Sequence, residues 1–260
     1  MNTESPRIVA HNGAFHAPNG EANHYVAMVA HELRSPLLPI INAASLLARA
    51  PQEVDLVRRS AEIIERQARI IGRLIEDLMN VSAAQRGHLN LRPAPVAVTD
   101  LVRQCLETIA PFAAQLGVRV VVTDPSEPLD LVGDNLRLSQ ALQNVLFNAV
   151  KYSHRDGEVR LQADRAGDDI IITVCDDGIG IAASDLESIF RLFEQGDPHH
   201  FSGGLGIGLY LARQMIEAHG GSIVAASAGA ELGSTFTIRI PCTAPEGYAS
   251  KRSDSFLTTA

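Results

Sequence analysis

His31 and Glu32 lie side by side in the run Val29-Ala30-His31-Glu32-Leu33-Arg34-Ser35-Pro36-Leu37, which sets a potential nucleophile beside a carboxylate. A neutral imidazole is nucleophilic at one nitrogen when a hydrogen bond holds the proton on the other, and Glu32 is a candidate for that acceptor. Consecutive helical residues point about 100° apart, so contact between the two requires a favourable rotamer or local distortion. Alone, the pair reads more simply as two solvated helix residues. A second group, Asn144, Asn148 and Lys151, recurs at spacings of four and three in an otherwise apolar helical segment. Phosphate oxygens and a magnesium ion would satisfy such a face, the ion taking an amide oxygen and the lysine acting as a point charge. Asp176 follows the apolar run Ile170-Ile171-Ile172-Thr173-Val174-Cys175, which puts an acceptor at a strand end, with Gly178 and Gly180 letting backbone approach. Gly203-Gly204-Leu205-Gly206-Ile207-Gly208 opens onto a helix, where free N–H groups and the helix dipole favour phosphate. The spacing is not that of a dinucleotide-binding fingerprint.

The elements that must hold these groups read as two domains. Tyr25, Met28, Val29, Leu33, Leu37, Ile40, Ile41, Ala44 and Leu47 recur at helical spacing, with bends expected at Pro36 and Pro39. The first helix is expected to end near Arg49-Ala50, with Pro51 in the first position of a second helix. In that helix Val57, Ala61, Ile64, Ala68, Ile71, Ile75 and Leu78 alternate by four and three, the seam of a bundle. Two helices cannot bury such a stripe alone, so dimerisation into a four-helix bundle is the economical solution. Arg92-Pro93-Ala94-Pro95 reads as a stiff connector. Beyond it, helices are expected at 99–115, from Asp134 as N-cap, and at 206–219. Strands are expected at 118–122, 129–132, 157–164, 170–175, 222–227 and 235–240. The fold class is therefore multidomain: an all-α helical hairpin forming a dimeric four-helix bundle, then a two-layer α/β sandwich. The expected boundaries are 1–20 for a flexible lead, 21–91 for the hairpin, 92–242 for the sandwich and 243–260 for a disordered tail. Residues 182–202 read as a mobile lid.

With 46% hydrophobic and 20% charged residues in 260, the chain can bury one or two ordinary cores. A net charge of -8 disfavours a nucleic-acid surface. Cys105, Cys175 and Cys242 are far apart and lack metal-ligand spacing, so they read as reduced thiols, with Cys175 expected in the core. No apolar run approaches the roughly 20 residues needed to span a bilayer, and a cytoplasmic location is expected.

His-Glu-Leu-Arg-Ser-Pro-Leu resembles the phosphoacceptor box of sensor histidine kinases. Four further boxes of that family follow in order: residues 144–152, Asp176-Asp177-Gly178-Ile179-Gly180, the pair Phe190 and Phe193, and the glycine run through Gly208. The resemblance implies that His31 takes a phosphoryl group from ATP with Glu32 as polarising base. It implies that Asn148 binds Mg2+, that Tyr152 packs near the adenine and that Asp176 recognises the adenine amino group. Asn144, Lys151, Gly178, Gly180, Phe193, Gly204, Gly206 and Gly208 complete the implied nucleotide site. Ser35 stands where many members carry Thr or Asn used in dephosphorylating a partner, and Pro39 is a second departure. The implied partners are a second copy in a homodimer and a response regulator, with a separate sensor protein or a missing sensor domain supplying the signal. The boxes also resemble gyrases, mismatch-repair proteins and heat-shock chaperones, so a non-phosphorylating ATPase and an ATP-sensing scaffold are the rival readings.

Overall fold

The computed structural model describes residues 19–50, 52–86, 89–125, 127–194 and 205–243, with side chains from Val26 onward. Helix α1 (Asn19–Arg49) and helix α2 (Val54–Gln85) form an antiparallel hairpin. α1 continues through Pro36 and Pro39, although each proline removes one helical hydrogen bond. Pro36 is buried on the side facing α2, together with Ala43. α2 begins later than expected: Pro51 lies outside the described residues, and Glu53 takes the N-cap position without a side-chain cap bond.

The seam also differs. Leu56, Ser60, Ile63, Gln67, Ile70, Leu74 and Val81 of α2 are turned inward, and of the expected seam Ile64, Ile71 and Leu78 are half-buried while Val57, Ala61, Ala68 and Ile75 stay exposed. The expected stripe is thus partly covered within the chain. Its exposed part is joined on α1 by the exposed Leu37 and Ile41.

The sandwich opens with strand β1 (Ala94–Ala97), in a stretch that reads from sequence as connector only, and continues through helix α3 (Val98–Leu116). Gly117 ends α3 in the left-handed region at φ 72°, its N–H bonded to the carbonyls of Ala113 and Ala114. Strands β2 (Arg119–Thr123) and β3 (Asp130–Gly133) precede helix α4 (Asn135–Tyr152), followed by β4 (Glu158–Ala166) and β5 (Asp169–Asp176). Helix α5 (Gly208–Ala218) and strands β6 (Ser222–Ala226) and β7 (Ser234–Pro241) complete the domain. β1 pairs antiparallel with β3, and the main sheet runs β2-β4-β5-β7-β6, with β2 parallel to β4 and the other pairs antiparallel.

Alternation along β5 shows how the sheet is built: Ile170, Ile172 and Val174 are buried toward the helices, while Ile171, Thr173 and Cys175 point to the other face. Cys175 is therefore half-buried on the outer face and not in the core; Cys105 on α3 is the fully buried thiol. Burial pushes that thiol up to about 12, against hydrogen bonds to Gln143 and Ser139, which makes it inert at neutral pH. Val81, Leu74, Leu78, Met28 and Val29 of the hairpin pack against the same apolar cluster as α4 and α5, so the hairpin docks on the sandwich.

One polar node ties the parts together. Asp134 caps α4 by accepting from the Arg137 N–H, and its second oxygen accepts from the Arg92 N–H at 2.8 Å. Its own N–H donates to Nε2 of His219 at 2.9 Å, and Nδ1 of His219 lies 2.7 Å from the Met215 carbonyl. These partners fix His219 as the neutral Nδ1–H tautomer, and burial holds its pKa below the usual histidine range.

Candidate functional site

His31 sits on α1 with its side chain 77% exposed, and Glu32 beside it is largely covered at 19%. Nδ1 of His31 is 3.8 Å from a Glu32 carboxylate oxygen, so the rotamers bring the pair together at ion-pair range but short of a hydrogen bond. Ser35 is exposed one turn further along.

The second site forms where the end of β5, the face of α4 and the start of α5 meet. Asn144 and Asn148 are half-buried between fully buried neighbours such as Val145, Leu146 and Ala149. A Cβ at Gly208 would lie 3.7 Å from the Asn144 amide, so the start of α5 abuts this face. Lys151 and Tyr152 sit at the end of α4, with Nζ of Lys151 3.3 Å from the Tyr152 hydroxyl and 4.9 Å from its ring centre. Asp176, only 5% exposed, accepts from the Gly178 N–H at 3.0 Å and the Ser234 N–H at 3.2 Å, and from the Ser234 hydroxyl. Burial pushes its carboxyl above the ordinary range, those three donors pull it back, and neighbouring Asp177 adds to the rise.

Three of the expected site glycines are required by close approach. A Cβ at Gly178 would stand 2.0 Å from the Tyr152 carbonyl oxygen, one at Gly180, where φ is 70°, 2.0 Å from the Gly229 carbonyl oxygen, and one at Gly206, where φ is 66°, 2.3 Å from the Glu194 carbonyl oxygen. Phe193 also adopts a positive φ of 66° and donates its N–H to the Gly206 carbonyl at 3.0 Å, so this aromatic and the glycine turn form one unit. Phe190 is a core residue set edge-on to Phe236 at 6.4 Å. Gly204 and the end of the expected lid, residues 195–202 with His199 and His200, lie outside the described residues, while 182–194 form turns and a short 3-10 helix at Ser188–Phe190. The structure thus gathers Asn144, Asn148, Asp176, Gly178, Gly206 and Gly208, and leaves His31, Glu32 and Ser35 on the hairpin. Ser234 was not found from sequence: it is 58 residues from Asp176 and opposes it only through the β5–β7 register.

Residues 22–87 match the His Kinase A (phospho-acceptor) domain, and residues 133–244 match the histidine kinase-, DNA gyrase B- and HSP90-like ATPase. The chain belongs to the sensor histidine kinases. It is 35% identical over 233 residues to the circadian input-output histidine kinase CikA of Synechococcus elongatus, covering 86% of this chain and 30% of that protein. The Acinetobacter baumannii histidine kinase AdeS is similar in structure, with a TM-score of 0.61 at 25% identity, covering 82% of this chain and 98% of that one. Full-length ShkA, solved with AMPPNP, gives a TM-score of 0.65 at 26% identity over 85% of this chain and 46% of that one. The chain spans about a third to a half of the length of the curated relatives it matches. Among the described residues, no helix of this histidine kinase is long and apolar enough to cross a membrane.

Proposed function

We propose that this histidine kinase transfers the γ-phosphoryl group of ATP to its own His31 and then to an aspartate of a separate response regulator. The observation that carries the reading is the pairing, within one chain, of an exposed His-Glu on a helical hairpin with a gathered nucleotide site on the adjoining domain. Closing the 3.8 Å gap between Nδ1 and the Glu32 carboxylate to a hydrogen bond would hold the proton on Nδ1, leaving the lone pair of Nε2 to attack the phosphorus as ADP leaves. Asp176 accepts from the adenine amino group, and its three donors keep it oriented and ionised in a buried setting. The half-buried amides of Asn144 and Asn148 make no hydrogen bond to any described residue, which suits them to a hydrated cation and phosphate oxygens. Asn148 would hold Mg2+, and Asn144, Lys151 and the N-terminus of α5 the phosphates. The metal supplies charge neutralisation on the phosphoryl oxygens when bound.

The uncovered apolar face through Val57, Ile75, Leu37 and Ile41 supports a homodimer, since a stripe of this kind along a hairpin needs a partner helix pair. We place the hairpin domain at 21–91 and the ATP-binding domain at 92–242, because β1 and α3 pack with the sandwich. Incubation of the chain with Mg-ATP is expected to give an acid-labile, alkali-stable label that His31→Gln abolishes. Wild-type labelling in that variant would refute the assignment. Nucleotide binding without label would favour a sensing scaffold, and sustained phosphate release without label a simple ATPase.

A further inference from the structure

The loop 178–181, which follows Asp176 out of β5, is held from behind by the turn between β6 and β7. Ser227 opens that turn directly after β6, and its half-buried hydroxyl oxygen accepts from the Ile181 N–H at 3.0 Å and from the Gly229 N–H at 3.2 Å. Its proton goes to the Gly233 carbonyl at 2.6 Å, so one hydroxyl ties both arms of the turn to the loop. Two backbone bonds extend the junction: the Glu231 N–H donates to the Ile179 carbonyl at 2.7 Å, and the Gly233 N–H to the Gly178 carbonyl at 2.9 Å. On its other side the loop meets α4, where the Ile179 N–H donates to the Tyr152 carbonyl at 3.1 Å.

This loop needs such support. Two of its four residues are glycine, which gives the backbone more freedom than any other residue would. A ligand that had to order it on arrival would lose affinity, whereas a loop set in advance costs the ligand nothing. The bond at Ile181 is the one anchor supplied by a side chain of the turn, so it is the one that a substitution removes without disturbing backbone pairing.

We propose that Ser227 is a positioning residue for recognition of the nucleotide base: its hydroxyl pins the loop 178–181 to the β6–β7 turn and holds the wall beside Asp176 in its binding shape before nucleotide arrives. The inference rests on the reading of Asp176 as the adenine acceptor. None of the hydrogen bonds of Ser227 reaches Asn144, Asn148 or α5, the groups assigned to the phosphates and Mg2+. Its effect therefore falls on the base end of the ligand and leaves the phosphate end alone.

The test measures binding of two probes to the full chain by calorimetry: Mg-ADP, which carries the base, and Mg-tripolyphosphate, which does not. Ser227→Ala leaves the part-buried Ile181 N–H without its acceptor, and it is expected to weaken ADP by about five- to tenfold. Tripolyphosphate is expected to stay within about twofold of wild type, because no bond on the phosphate side is lost. Ser227→Thr keeps the hydroxyl and is expected to restore ADP binding. Unchanged ADP affinity in the alanine variant, equal weakening of both probes, or a threonine variant as weak as alanine would each overturn the inference. Asp176→Asn is measured alongside. If that variant binds ADP like wild type, the adenine reading fails by itself, and the contrast between the two probes in Ser227→Ala still decides whether the hydroxyl serves the base.

Discussion

Replacing Ser234 with alanine isolates one hydrogen bond to a buried ionised group. Asp176 keeps its two backbone donors, Gly178 and Ser234, and loses the hydroxyl. A hydrogen bond to a charged group contributes about 1.5–3 kcal/mol. Because the bond favours only the ionised carboxylate, its loss raises further a pKa that burial already holds above the ordinary carboxylate range. The adenine amino group needs the ionised acceptor. Nucleotide affinity, titrated from pH 5 to 8.5 by calorimetry, is therefore expected to fall on acidification in both proteins, with the fall beginning at higher pH in Ser234→Ala. Ser234→Thr retains the hydroxyl and is expected to follow the wild-type profile. Superimposable profiles for the wild type and the alanine variant would show that the hydroxyl does not hold Asp176 ionised, and the account of this carboxylate would be wrong.

Gly178→Ala drives a methyl group into backbone at Tyr152 and Ser153, so it is expected to lose nucleotide binding more completely than Asn148→Ala, by filter binding, while the circular dichroism of the hairpin persists. His219 has a depressed folded pKa, so its contribution to stability is complete above about pH 6.5 and is lost as pH falls through the folded value. Thermal unfolding from pH 7.5 to 5 is expected to show a steeper acid loss for the wild type than for His219→Gln, and equal slopes would contradict the buried neutral tautomer. Val57→Glu with Ile75→Glu charges the uncovered stripe without touching the intrachain seam. Sedimentation is expected to shift toward monomer by at least tenfold in dissociation constant, and an undiminished dimer would assign the interface elsewhere.

Much of this architecture was legible because single elements announced themselves. Asp134 reads as an N-cap and is one, and the alternation of β5 gives its buried face directly. The seam was legible only in part: α2 carries the apolar doublets Ile63-Ile64, Ile70-Ile71 and Leu74-Ile75, so two heptad registers one residue apart are both apolar. Packing against α1 takes up one of them and leaves Val57 and Ile75 of the other exposed. β1 was hidden by Pro93 and Pro95, which argue against a strand; a two-stranded ribbon tolerates proline where a central strand would not. The nucleotide boxes could be read locally, but Ser234 is defined by strand register across 58 residues and has no local signature.

The bond from the Arg92 N–H to Asp134 fastens the interdomain stretch of chain to the N-cap of the helix that bears the nucleotide amides. Any swing of the domain about that anchor makes α4 a lever. Asn148 lies fourteen residues beyond Asp134, which at the helical rise is ~21 Å from the fulcrum. A rotation of about 15°, the size of a familiar subunit rotation, then carries Asn148 through ~5 Å. Shortening or lengthening the arm is not an option without displacing the amides themselves, so the throw of the domain is fixed by the length of one helix.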